Sequence, residues 1–167
     1  MNKEKIQDLL LFWSSKEGGY TTLEAYKDRM SEDQPYYYYA CGESVEKIAA
    51  LPQVERILDK GYEILYCTED VDDFVMKALM ELDGKAFKSV SDEDALPQTE
   101  EEKSAADKQD EECKELLDFV KETLGDSVKE VRLSADLGSH PVAMVPDGGV
   151  SFEMEKYMKR ANPEFAF

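Results

Sequence analysis

Three carboxylates crowd one short stretch, Asp70, Asp72 and Asp73, and a hard cation is the first chemistry such a cluster suggests. The spacing lacks the alternating ligand positions and central glycine of a calcium loop. Acids in the first turn of a helix also suit its positive end, so the cluster reads as a helix start. His140 is the only histidine, set between Ser139 and Pro141. Neighbours in sequence do not build a proton relay, and His140 reads as a loop residue. Cys41, Cys67 and Cys113 lie far apart with no CxxC spacing. An odd count makes a poor disulfide framework, and the three read as reduced packing residues of a cytosolic protein. The chain contains no glycine-rich phosphate cradle, no HExxH and no GxSxG.

More informative are apolar residues that look surplus to a core. Met154 and Met158 stand four apart with Tyr157 beside them, which puts them on one side of a helix. They either pack on preceding strands or form an adaptable contact face, since a thioether is flexible and polarisable. Phe74 and Met76 pose the same question on an earlier helix, where Phe74 belongs to the apolar stripe and Met76 does not.

Elements that would position these residues are legible in the patterning. Ile6, Leu9, Leu10 and Trp13 have helical spacing and predict an opening helix ending near Ser14. Thr22 can cap a short helix. The run from Tyr36 to Cys41 is aromatic and β-prone, and two more strand patterns lie at 63–67 and 86–90. Helical stripes between them, the second running from Val71 to Leu82, give a βαβαβ order. The expected fold is α/β: a small three-stranded parallel sheet (about 36–40, 63–67 and 86–90) flanked by helices, followed by a partial α+β domain. That second part would hold a helix near 111–124 with a Leu116, Leu117, Val120, Leu124 stripe. Strands at 128–135 and 141–145 and a helix after Ser151 would complete it.

Between the two parts, residues 91–112 carry ten carboxylates against Lys103 and Lys108, a net −8 of the formal −18. Such a segment repels itself and stays in water. The same acidity leaves no basic stripe to replace the counterions of a phosphate backbone and disfavours anionic lipid; no nucleic-acid or membrane partner is expected. No apolar run approaches the ~20 residues of a bilayer-spanning helix. Phe165 and Phe167 end the chain with no element to join, and truncation is expected there.

Several stretches, taken in order, resemble the Hsp90 chaperone family, its bacterial members most of all. They are LLLFWSS (9–15), TLEAYKDRM (22–30), YYYACGES (37–44), KGYEILY (60–66), DVDDF (70–74), GKAFKSV (84–90), LGDSV (124–128) and MEKYMK (154–159). The resemblance implies three divisions: 1–95, the C-terminal part of the middle domain; 96–110, an acidic linker; and 111–167, a truncated beginning of the C-terminal domain. It further implies a non-catalytic segment that binds client proteins and transmits force, with client contacts at Phe74, Lys77, Val150, Met154, Tyr157 and Met158. Unfolded or partly folded clients would be its partners, with co-chaperones possible. No cofactor is expected in this segment. ATP and Mg, the ATPase and the homodimer would belong to the full-length cytoplasmic protein, through an N-terminal domain and dimerisation helices absent here. The alternative is a structural interdomain module whose apolar helix packs on missing C-terminal elements.

Overall fold

The computed structural model describes residues 6–92, 94–96, 112–134, 137, 141–146 and 150–162. At its centre, Tyr37–Cys41 (β3) runs parallel to both Ile64–Cys67 (β4) and Lys85–Ser89 (β6). These are the three strands the patterning predicts, but the sheet does not stop at them. It has six strands in the order β2-β1-β4-β3-β6-β5, with Leu11–Ser14 (β1), Gly19–Thr22 (β2) and Glu81–Leu82 (β5) added antiparallel at its two sides. The expectation of a three-stranded parallel sheet is therefore corrected to a six-stranded mixed one.

Two misread periodicities account for the difference. The opening helix reaches only Gln7, and Leu11, Trp13 and their neighbours form a strand. Phe12 and Ser14 point inward while Leu11 is exposed, an alternation of period two that a short apolar run hides. The later helix (Asp72–Leu79, α4) ends three residues before Leu82. Met80 and Asp83 take positive φ, as does Gly84, and the chain reverses into the β5–β6 hairpin.

Helices cover both faces of the sheet. Tyr38, Ala40, Ile64 and Tyr66 face Ile48 of Val45–Ala49 (α2) and Val54 and Ile57 of Pro52–Asp59 (α3). Tyr37, Tyr39, Leu65 and Cys67 face Leu23 and Tyr26 of Leu23–Arg29 (α1) and Met76 and Leu79 of α4. Local signals fix these helices: Thr22 and Ser44 accept from the backbone N–H groups of Ala25 and Lys47, and Pro52 opens α3.

A buried polar network ties the added hairpin to the parallel core. The Glu63 side chain, 1% exposed, accepts from Ser14 Oγ at 2.6 Å and from Arg29 at 2.6 and 3.1 Å. Arg29 also donates to Thr21 on β2 at 2.9 Å. The first core extends into the acidic stretch, because Tyr38 Oη donates to the Ala95 carbonyl at 2.7 Å and Leu96 is buried. Residues 97–111, most of the expected linker, lie outside the described residues.

In the second part, the expected helix is present as Lys114–Leu124 (α5), followed by a 3-10 turn at Gly125–Ser127. The expected strands are not: residues 128–134 and 141–146 have no regular structure. Alternation of residue types alone does not make a strand, and Val142 and Met144 stand 72% and 64% exposed. His140 falls outside the described residues. Ser151 caps the last helix, Phe152–Ala161 (α6), by accepting from Met154 N.

Candidate functional site

Helix α4 turns Met76 and Leu79 into the sheet, which leaves Asp73, Phe74 and Lys77 along the flank facing α6. Helix α6 has i, i+3, i+4 spacing at Met154, Tyr157 and Met158, so these residues share a side. None of its residues is fully buried. It lies against α4, and four kinds of contact hold it to the first part of the chain.

An aromatic pair forms one: Phe74 and Tyr157 pack edge-to-face with ring centroids 5.5 Å apart and planes at 68°. Lys77 Nζ lies 2.9 Å from the Met154 sulfur, a weak acceptor for an ammonium donor. A buried carboxylate makes the third contact. Asp73 accepts from the capping hydroxyl of Ser151, from Tyr39 Oη on the sheet at 3.3 Å, and pairs with Lys77 at 3.4 Å. The fourth is a rim of exposed ion pairs, Arg160 to Asp70 at 2.8 Å and Lys156 to Glu43 at 3.5 Å. Lys47 first, and then Lys156, holds the Glu43 carboxyl below its ordinary range. Solvated pairs of this kind contribute little, so the seam's order rests on its inner contacts.

Four of the six expected contact residues, Phe74, Lys77, Met154 and Tyr157, thus meet in one seam although 83 positions separate the first from the last. Phe74 and Met154 are half-buried there, and Tyr157 and Lys77 are exposed. Val150 and Met158 are half-buried at the start and the far end of the α6 segment. The two readings of the methionines resolve in favour of neither extreme: α6 packs on another helix, with part of its apolar side in water. Met76, set apart from the stripe in the sequence, is a core residue with 1% exposure.

Asp73 and Ser151 were missed as site residues. The three acids at 70–73 do separate jobs. Asp70 reaches Arg160, Asp72 accepts from Glu69 N at 3.1 Å and Asp73 pins the seam. Burial pushes the Asp72 carboxyl up. No group of three or more acidic, cysteine or histidine side chains is poised for a metal among the described residues. Likewise, no described helix is long and apolar enough to cross a membrane.

Away from the seam, α5 leaves Leu116 59%, Phe119 66% and Leu124 44% exposed, while Leu117 and Val120 of its stripe are half-buried.

Comparison with known proteins places this architecture. The profile of the family described as Hsp90 protein matches residues 1–164. The chain is 55% identical over 158 residues to the chaperone protein HtpG of Clostridium acetobutylicum, covering 95% of this chain and 25% of that protein. The HtpG proteins of Halalkalibacterium halodurans and Bacillus velezensis are 52% and 50% identical over 98% and 94% of the chain. The chain spans about a quarter of the length of these relatives, 25–26%. With nearly every residue inside the family profile, the chain belongs to the Hsp90 protein family.

Proposed function

We propose that this chain is the client-binding and force-transmitting segment of an ATP-dependent, HtpG-like chaperone that assists protein folding. Residues 1–95 are assigned to the C-terminal part of the middle domain, 96–110 to an acidic linker and 111–167 to the start of the C-terminal domain. The observation that carries the reading is the seam itself. Residues from both parts, Phe74 on one side and Met154 and Tyr157 on the other, build one half-wet apolar strip with the Lys77 ammonium at its edge. Soft thioethers and aromatic edges accept varied apolar segments without a fixed pocket. Apolar contact contributes about 25 cal/mol per Å², much of it offset by lost freedom and desolvation. Binding by such a strip is therefore broad and weak. The ionic rim and the Asp73–Ser151 hydrogen bond join the two parts, which suits transmission of movement between them.

ATP and Mg belong, on this reading, to a nucleotide-binding domain elsewhere in the full-length protein, and the homodimer to further C-terminal helices. The protein works in the cytoplasm on unfolded or partly folded clients, with co-chaperones as additional partners. A second reading has support of its own. The same buried Asp73–Ser151 contact suits a purely structural interdomain joint, in which α6 serves only to hold the two parts together.

Site-directed photo-crosslinking separates the two. A benzophenone amino acid at Tyr157 should attach an unfolded polypeptide, whereas one at Tyr20, 69% exposed on the distant hairpin, should attach little. Equal labelling at both positions would favour the structural joint.

A further inference from the structure

The register of the central strands brings two of the three cysteines together. Cys41 stands opposite Cys67 as the last pair of the parallel β3–β4 ladder. Neighbouring strands lie ~4.8 Å apart, within the Cα separation of ~4.4–6.8 Å that a disulfide bridges. Residues in register share a side of the sheet. Here it is the side under α1 and α4, where Cys67 belongs to the core and Cys41 packs at its margin. The two thiols differ in character. Burial first, then the adjacent Cys41, then Asp72 and Asp73, push the Cys67 thiol well up, so it keeps its proton. Cys41 is half-exposed at the strand end, and both thiols are free. Cys113 lies in the other part of the molecule, at the start of α5. The seam uses none of the three.

We propose that Cys41 and Cys67 form a two-thiol oxidation site for hydrogen peroxide, with Cys41 the entering thiol and Cys67 the resolving one. Of the two, Cys41 meets solvent and Cys67 is buried, so the oxidant reaches Cys41 first. Its sulfur attacks one peroxide oxygen and the O–O bond breaks. The distal oxygen leaves as water, taking the thiol's proton, and Cys41 becomes a sulfenic acid. The Cys67 sulfur, held beside it by the ladder, then attacks the Cys41 sulfur. The S–O bond breaks, the S–S bond forms, and the departing hydroxide takes the Cys67 proton as a second water. Two thiols lose two electrons in all, and one peroxide gains them. The product strap joins the carboxyl ends of the two central strands and closes the segment holding α2 and α3. This inference stands on the sheet alone and is independent of what the seam binds.

The test uses the whole chain carrying Cys113→Ser, treated with hydrogen peroxide while folded. Peptide mass mapping without reductant should show one linked pair containing Cys41 and Cys67, two hydrogens lighter than the separate peptides. Both thiols should vanish together, return with dithiothreitol, and leave the oxidised form with a raised urea midpoint. In a Cys67→Ala variant, dimedone should capture Cys41 as the sulfenic acid. In Cys41→Ser, Cys67 should stay a thiol. Should a variant fail to fold, the peptide map of the protein with both cysteines intact decides by itself. The proposal is overturned if Cys41 runs on to the sulfinic acid or links to a second chain while Cys67 remains a thiol. It is equally overturned if both thiols survive peroxide that fully oxidises Cys113 in the unsubstituted chain.

Discussion

Asp73 shows how a residue can be visible in a sequence while its task is not. Its position in a helical first turn was readable, and so was the absence of a metal-loop spacing. Its burial was not, because the groups that satisfy it, Tyr39 and Ser151, come from positions 34 before and 78 after it. The same holds for Glu63, whose forked bond with Arg29 joins elements distant in sequence. Replacing Arg29 by Met leaves a carboxylate buried without its cation and should cost roughly 3–5 kcal/mol, whereas Met at both positions should come closer to neutral. A urea double-mutant cycle measures the difference, and equal losses for single and double variants would contradict it. Tyrosines give a pH dependence. Tyr26, Tyr38 and Tyr39 all have phenols raised above 10.0, chiefly by burial. The unfolded chain releases these protons near pH 10 while the folded chain keeps them. The stability they contribute is therefore complete below that pH and is lost as pH rises beyond it. Urea midpoints between about pH 8 and pH 11 should fall with increasing slope above pH 10, and Tyr39→Phe should soften that slope. A flat profile would show that the phenols ionise alike in both states.

Elements were legible where a cap or a long stripe marked them. Thr22 and Ser151 each begin the helix that their chemistry predicts. Strand β1 was not legible, because the five apolar residues in a row from Leu9 to Trp13 satisfy a helical and an extended spacing equally well. Only its pairing with β2 and with Tyr66 of β4 decides between them. The close approach of β3 to α2 offers a direct test of packing. A Cβ on Gly42 would sit 2.8 Å from Cγ1 of Ile48, which is fully buried and has nowhere to go. Gly42→Ala should therefore destabilise by about 1–3 kcal/mol, as overpacking does, and an unchanged urea midpoint would mean that α2 shifts freely. For α6 the opposite is expected. Met154 and Met158 are half-buried and belong to neither core cluster. Replacing both by Ser should leave the urea midpoint of the sheet nearly unchanged, well short of the ~2–5 kcal/mol that each fully buried methionine would cost. A large loss would place α6 in the folding core and withdraw it from the binding assignment.

Across the whole molecule, the α/β class and the three parallel strands could be read from composition and spacing, whereas the mixed edges could not. Of the seam, the aromatic and methionine contacts were readable only through the family resemblance; periodicity alone left them open between core and surface. The meeting of α4 with α6 is a property of the folded chain, since no local signal links position 74 to position 157. Acidity bears on nucleotide as well. With −18 formal charges and no phosphate cradle, calorimetry of this chain with ATP and Mg²⁺ should give no saturable heat. Micromolar saturable binding would overturn the assignment of nucleotide to another domain. The central claim is that the α4–α6 seam captures unfolded protein, and a fluorescence titration of a permanently unfolded, carboxymethylated polypeptide tests it most directly. The titration would compare the unsubstituted chain with Phe74→Ala/Tyr157→Ala, a change that removes an edge contact worth about 0.5–1.5 kcal/mol. The account predicts saturable binding to the unsubstituted chain and an affinity at least several-fold weaker for the double variant, with both proteins folded. Equal affinity in the two, or no binding to either, would contradict it.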